Sequence, residues 1–210
     1  RELNGVWFSE NPPYTVICDG SRCAVEGAVQ RIRSRGLRNL KVLDICCGVG
    51  VIGLSLLKIL GPETIRHLTL SDINIFNLQA AQATIARSDN GFDSSRIEIK
   101  LSDSVENFNV LDQYDIIVGN PPHNPSKVDV NPTPSLLGGF DTDWHFHKSF
   151  YAFCDQMLRP EGEVWFIENS GQNNESLLKR MIESNSGLRY IGREEEPADS
   201  GYYWTIVKRV

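Results

Sequence analysis

A chain of 210 residues, 40% apolar and 23% charged, is long enough for one substantial core. No apolar run approaches the roughly 18 residues of a membrane span, and no signal-peptide pattern opens the chain. The formal net charge of −6 argues against broad nonspecific nucleic-acid binding, which draws on neutralised phosphates. Five cysteines, Cys18, Cys23, Cys46, Cys47 and Cys154, are odd in number and lack paired metal spacing, so free thiols and a cytoplasmic location are expected.

Arg1 rather than Met opens the chain, as in a trimmed or excised segment. Asn11-Pro12-Pro13-Tyr14 follows no long apolar run and reads as a loop, with Trp7, Phe8 and Tyr14 as candidates for a substrate mouth. Ala24, Val25, Ala28, Val29 and Ile32 share one helical face, which predicts a helix packed on a sheet. Arg31, Arg33, Arg35, Arg38 and Lys41 form the densest basic run. Cations suit a helix C-terminus and solvent, and phosphate or RNA contact is the alternative.

From Lys41 onward short β-rich runs alternate with helical ones, the pattern of a parallel sheet with crossover helices. Strands are predicted at Lys41–Cys46, His67–Asp72, Arg96–Leu101, Tyr114–Gly119 and Glu163–Glu168, and helices at Val51–Leu60, Asn74–Arg87, Trp144–Leu158 and Glu175–Glu183. Arg159-Pro160-Glu161-Gly162 reads as a turn. Leu188–Arg193 and Tyr202–Lys208, joined by a short loop, should pair antiparallel. The stretch from Pro121 to about Thr142, rich in Pro, Gly, Asn and Asp, is long for a loop without function.

Asp44-Ile45-Cys46-Cys47-Gly48-Val49-Gly50 joins the first strand of the alternating pattern to its helix. Gly48 and Gly50 let the backbone turn sharply beside a ligand. Asp44 would repel a pyrophosphate but suits S-adenosylmethionine, which has no phosphate and carries positive charge. Asp72, at the next strand end, is placed for ribose hydroxyls, and Asp103 with Ser104 for an adenine amino group.

Asn120-Pro121-Pro122-His123 follows the apolar run ending at Gly119. The Asn120 amide oxygen and the Pro121 carbonyl are two stiffly held acceptors, suited to a planar NH2 group. Phe140 and Trp144 are candidate walls of the acceptor pocket. His145 and His147 with Asp141 and Asp143 have metal-like spacing, but a helix N-terminus explains the acids, and no metal is expected.

These motifs resemble the class I S-adenosylmethionine-dependent N-methyltransferases marked by Asn-Pro-Pro-aromatic. The nearest look is to the release-factor glutamine methyltransferases, through Gly138-Gly139-Phe140-Asp141 and through Glu168 with Gln172. The resemblance implies an α/β fold, Rossmann-like, with a doubly wound, seven-stranded, mostly parallel sheet and a C-terminal antiparallel strand. Residues 41–210 would be the core and residues 1–40 a segment and helix on the substrate or lid side. It implies N-methylation, with Asn120, Pro121 and His123 catalytic. Asp44, Cys46, Gly48, Gly50, Asp72, Asp103, Ser104 and Asn120 would hold the cofactor, and Pro122, His123, Phe140 and Trp144 the substrate. That substrate would be a protein or nucleic acid, with a small metabolite or a noncatalytic partner role as alternatives.

Three features depart from the family pattern. Cys46 stands for the usual first glycine, His123 for the usual aromatic, and the helical docking domain of the release-factor enzymes has no counterpart.

Overall fold

The computed structural model describes residues 1–10, 15, 17–109, 111, 113–126, 138–172, 174–196 and 201–210. Asn11 to Tyr14 lie outside the described residues. A short hairpin, β1 (Glu2–Leu3) and β2 (Val6–Trp7), opens the chain and is followed by helix α1 (Asp19–Ser34).

There follow β3 (Leu40–Ile45), α2 (Val51–Leu60), β4 (Ile65–Asp72), α3 (Ile75–Ala86), β5 (Ile97–Leu101) and β6 (Tyr114–Gly119). The chain closes with α4 (His145–Met157), β7 (Leu158–Asn169), α5 (Glu175–Glu183), β8 (Leu188–Glu195) and β9 (Tyr202–Arg209). Seven strands form one sheet in the order β5-β4-β3-β6-β7-β9-β8. Strands β3 to β7 run parallel, and β9 pairs antiparallel with both β7 and β8. The doubly wound, mostly parallel sheet is therefore present.

The central strands are buried on both faces, which is why β3, β4 and β6 read as near-continuous apolar runs. One face packs α1 and α2 through Val25, Val29, Leu54, Trp165 and Trp204, and the other packs α4 through Phe146, Phe150, Tyr151 and Phe166. Helix boundaries follow local chemistry. Asn74 caps α3 by accepting the Phe76 N–H at 3.0 Å, Asn174 caps α5 through the Leu177 N–H at 3.2 Å, and α2 stops at Gly61 with φ of 75°.

The sequence placed a turn at Arg159–Gly162, but these residues form an excursion within β7. Tyr114 pairs with Leu158 and Ile116 with Glu163, so extra residues on β7 face a short step on β6. The basic run lies at and just beyond the last turn of α1, with Arg33, Arg35 and Arg38 exposed, and several of its members are also held by partners. Arg31 pairs with Glu194 at 2.7 Å beside the rings of Trp165 and Trp204, Arg35 grips Glu163 through two bonds of 2.7 and 2.9 Å, and Arg38 bonds Thr64. Among the described residues no helix is long and apolar enough to cross a membrane.

Candidate active site

A cavity of about 1170 Å³ opens at the carboxyl ends of β3, β4, β5 and β6. That is where open α/β sheets place ligands, and the volume exceeds what a single small ligand needs. Its walls include Cys46, Gly48, Asp72, Asp103, Ser104, Asn120, Pro121, Pro122, His123 and Phe140. Strand ends far apart in sequence thus bring together most of the residues singled out above.

The loop after β3 is tightly built. Cys46 has φ of +53°, Gly48 of +56° and Gly50 of +85°. Cys46 therefore takes the left-handed conformation that glycine would adopt without strain. A Cβ added to Gly48 would meet nothing within 4 Å, so the loop leaves open space beside its backbone. Asp72 secures the loop. Its Oδ2 accepts the Gly48 N–H at 2.8 Å, and its Oδ1 accepts from the Asn74 N–H at 2.8 Å and from Asn77 at 3.2 Å.

Burial pushes the Asp72 carboxyl up despite these bonds. Burial, then the carboxylates of Asp72 and Asp44, push the Cys46 and Cys47 thiols well up, so the loop offers no thiolate nucleophile.

Three expected site residues do not reach the cavity. Asp44 is completely buried beneath the loop, where its Oδ2 accepts the Gly53 N–H at 2.7 Å and its Oδ1 has no partner among the described residues. The first turn of α2 covers it, and burial pushes its pKa up to about 8. Gly50 caps α2 against Leu54 and Leu70. Trp144 packs edge-on to His147, with ring centroids 5.3 Å apart. Nor do Trp7 and Phe8 form a mouth. Phe8 is in the core, and Trp7 lies under Arg87, bonded through its backbone to Asn90.

Asn120 is gripped on both sides. Its Nδ2 donates to Cys18 Sγ at 2.9 Å and to Ser21 Oγ at 3.2 Å, both at the start of α1, while its Oδ1 lies 2.9 Å from His123 Nε2. His123 Nδ1 is in turn 3.2 Å from Glu168 Oε2. Glu168 Oε1 is 3.2 Å from His147 Nε2, and His147 Nδ1 is 2.5 Å from Asp141 Oδ2. Asp141 also accepts the Phe146 N–H at 2.6 Å, at the start of α4.

His147 and Glu168 are completely buried and Asp141 nearly so. Burial alone would lower the His147 pKa, but Glu168 and Asp141 on either side raise it to about 9. Burial pushes Glu168 up, and His147 with the His123 bond outweighs this, leaving the carboxyl below its ordinary range.

Glu168 was visible in the sequence through the family resemblance alone, and His147 only as half of a metal-like pair. Ser21 and Tyr202, which also line the cavity, carried no signal, and Cys18 stood out only as one of the free thiols. The ends of the long loop are pinned where described: Asp141 N–H donates to Asn124 O at 2.7 Å and Asn124 N–H to Gly139 O at 3.0 Å.

A family model described as methyltransferase small domain matches residues 19–189. A release factor glutamine methyltransferase from Borreliella burgdorferi is 28% identical over 190 residues, covering 84% of this chain and 60% of that protein. A ribosomal RNA small subunit methyltransferase C from Buchnera aphidicola is 35% identical over 144 residues, covering 68% of this chain and 36% of that one. The chain thus spans less than two thirds of the length of these curated relatives. Among solved structures, a T. thermophilus 16S rRNA methyltransferase in complex with AdoMet and guanosine superposes with a TM-score of 0.64 at 17% identity, covering 95% of this chain and 45% of that one. A methyltransferase from Pyrococcus furiosus gives 0.64 at 11% identity, covering 96% and 87%. The matched span takes in α1, the glycine loop and the strand that carries Asn120, and this chain belongs to the methyltransferase small domain family.

Proposed function

We propose that this protein transfers a methyl group from S-adenosylmethionine to a planar nitrogen, a side-chain amide or an exocyclic amine of a protein or nucleic acid. The observation that carries the reading is Asn120, its amide oxygen fixed at a strand end in the same cavity as the Gly48 loop and Asp72.

The residues present fit the cofactor. Gly48 leaves room beside its backbone, Asp72 lines the cavity next to it, and Asp103 is exposed at the rim with Ser104 beside it. Cys46 lines the same floor, while Asp44 and Gly50 shape the loop from beneath. When bound, S-adenosylmethionine supplies a sulfonium methyl: the acceptor nitrogen forms the new N–C bond, the C–S pair returns to sulfur, and one N–H proton leaves to solvent.

The protein's part is alignment, the chief term when the electrophile is already strong. Asn120 Oδ1 and the Pro121 carbonyl accept the two N–H groups of the acceptor and steady the positive charge that grows on nitrogen. Pro122, His123 and Phe140 form the acceptor wall, with Tyr202, whose ring centroid is 6.3 Å from that of His123. Residues 1–40 serve the acceptor side through Cys18 and Ser21, and the free thiols suit a cytoplasmic protein.

The test is tritiated methyl transfer to purified release-factor protein and to small-subunit ribosomal RNA, the acceptor classes named for the relatives. Asn120→Ala should lower turnover by roughly 10²-fold or more while S-adenosylhomocysteine binding, measured by calorimetry, stays within about twofold. Undiminished turnover in that variant overturns the reading.

A further inference from the structure

The four side chains leading to Asn120 form one unbroken line from α4 across β7 to the end of β6: Asp141, His147, Glu168, His123. Each step has a chemical direction. Carboxylates only accept, so His147, facing Asp141 on one nitrogen and Glu168 on the other, donates on both sides. Glu168 Oε2 accepts from His123 Nδ1, which fixes a proton there. For the Asn120 oxygen to accept from the opposite nitrogen of the same ring, 2.9 Å away, that nitrogen must carry a proton as well; a ring protonated at Nδ1 alone would present a lone pair there and draw the amide NH2 instead.

The two ends of the Asn120 amide differ little in shape and are opposite in chemistry. Its oxygen accepts from an acceptor N–H group, whereas its NH2 would oppose one. Cys18 Sγ and Ser21 Oγ can each donate or accept, so the contact with α1 holds the amide in place without choosing its direction. Among the described contacts of the Asn120 amide, the one with His123 carries the directional demand.

We propose that Asp141, His147 and Glu168 are positioning residues that act through His123 to set which way the Asn120 carboxamide faces. The proposal rests on the reading of Asn120 as the group that receives the acceptor nitrogen. It assigns a purpose to the replacement of the family's aromatic by His123. The usual ring provides a wall, and here the ring also transmits an orientation. A buried ion cluster that merely fastens α4 to β7 would stabilise the protein without touching Asn120.

Two measurements decide between these roles, both made well below the melting temperature of each variant. The first is side-chain NMR of the ligand-free, 15N-labelled protein. Glu168→Gln supplies one donor and one acceptor where two acceptors stood. It should move the His123 ring-nitrogen resonances and transfer the Asn120 NH2 contacts from Ser21 toward His123. Unchanged Asn120 resonances beside a perturbed His147 overturn the proposal.

The second is turnover on whichever of the two acceptors the wild type methylates. Glu168→Gln should lower kcat at least about tenfold with KM within about twofold. The same substitution placed on His123→Phe should then cost little more, because the link is already cut. Equal losses in both backgrounds show a fastening role only and overturn the proposal. If Glu168→Gln fails to fold, Asp141→Asn takes its place in both measurements with the same expectations. Should the wild type methylate neither acceptor, the NMR result still decides the positioning claim, and the functional reading fails separately.

Discussion

Asp44 shows how a single carboxyl can matter without lining the cavity. Folding moves it from water to a closed site, and its pKa rises to about 8. The folded protein therefore holds this proton more tightly than the unfolded chain does. The resulting stability is fully present below about pH 4 and is lost as pH rises toward 8. Asp44→Asn keeps the acceptor for the Gly53 N–H and removes the titration. Urea denaturation should find wild type losing stability against this variant by up to about 1.4 kcal/mol per pH unit between pH 5 and 8. Parallel pH dependences would show that Asp44 does not titrate in that range.

The sequence made Asp44 a cofactor ligand because an acid beside a glycine loop suits a cation. It could not show that the first turn of α2 closes over the carboxyl. What was legible for Asp72, Asp103 and Asn120 was their place: they stand at strand ends, and the strand ends of this fold open into the cavity.

At the scale of elements, α1 is fastened at both ends. Its C-terminal end holds β7 through Arg35 and Glu163, which also accepts from the Trp165 indole at 2.8 Å. Its N-terminal end holds Asn120. Burial pushes the Glu163 carboxyl up, and the Arg35 and Trp165 bonds outweigh it and bring it below its ordinary range. This contribution is present above about pH 4.5 and is lost as pH falls through the lowered value.

Arg35→Ala should cost about 1–2 kcal/mol at neutral pH by thermal or urea unfolding, discounted because the Arg35 side chain is 43% exposed. A cost near zero would mean that solvent replaces the guanidinium freely. The apolar stripe of α1 was readable from its spacing, and its docking on the sheet could be expected. Its grip on Asn120 was not readable. Cys18 and Ser21 lie about a hundred positions from Asn120, and no local pattern encodes such a contact. The same holds for β7, where the excursion at Arg159–Gly162 depends on a register set by β6.

Over the whole molecule, ligand binding should be legible as stability. S-adenosylhomocysteine at 100 times its Kd should stabilise the native state by about 2.7 kcal/mol. For a domain of this size that corresponds to a rise in melting temperature of roughly 5–10 °C. ATP at the same concentration should shift it little, because its phosphates would face the carboxylates of Asp72 and Asp103. An equal shift with ATP would contradict the choice of cofactor.

The grip on Asn120 also bears on when the protein becomes competent as it is made. Synthesis delivers α1 before Asn120, Glu168 on β7 after it and Tyr202 at the start of β9 later still. A nascent chain halted after β6 carries the glycine loop and Asn120, yet has neither the anion that directs the amide nor the β7 partner that seats α1. Competence therefore waits for β9, and a chain cut short before that strand should be silent rather than partly active.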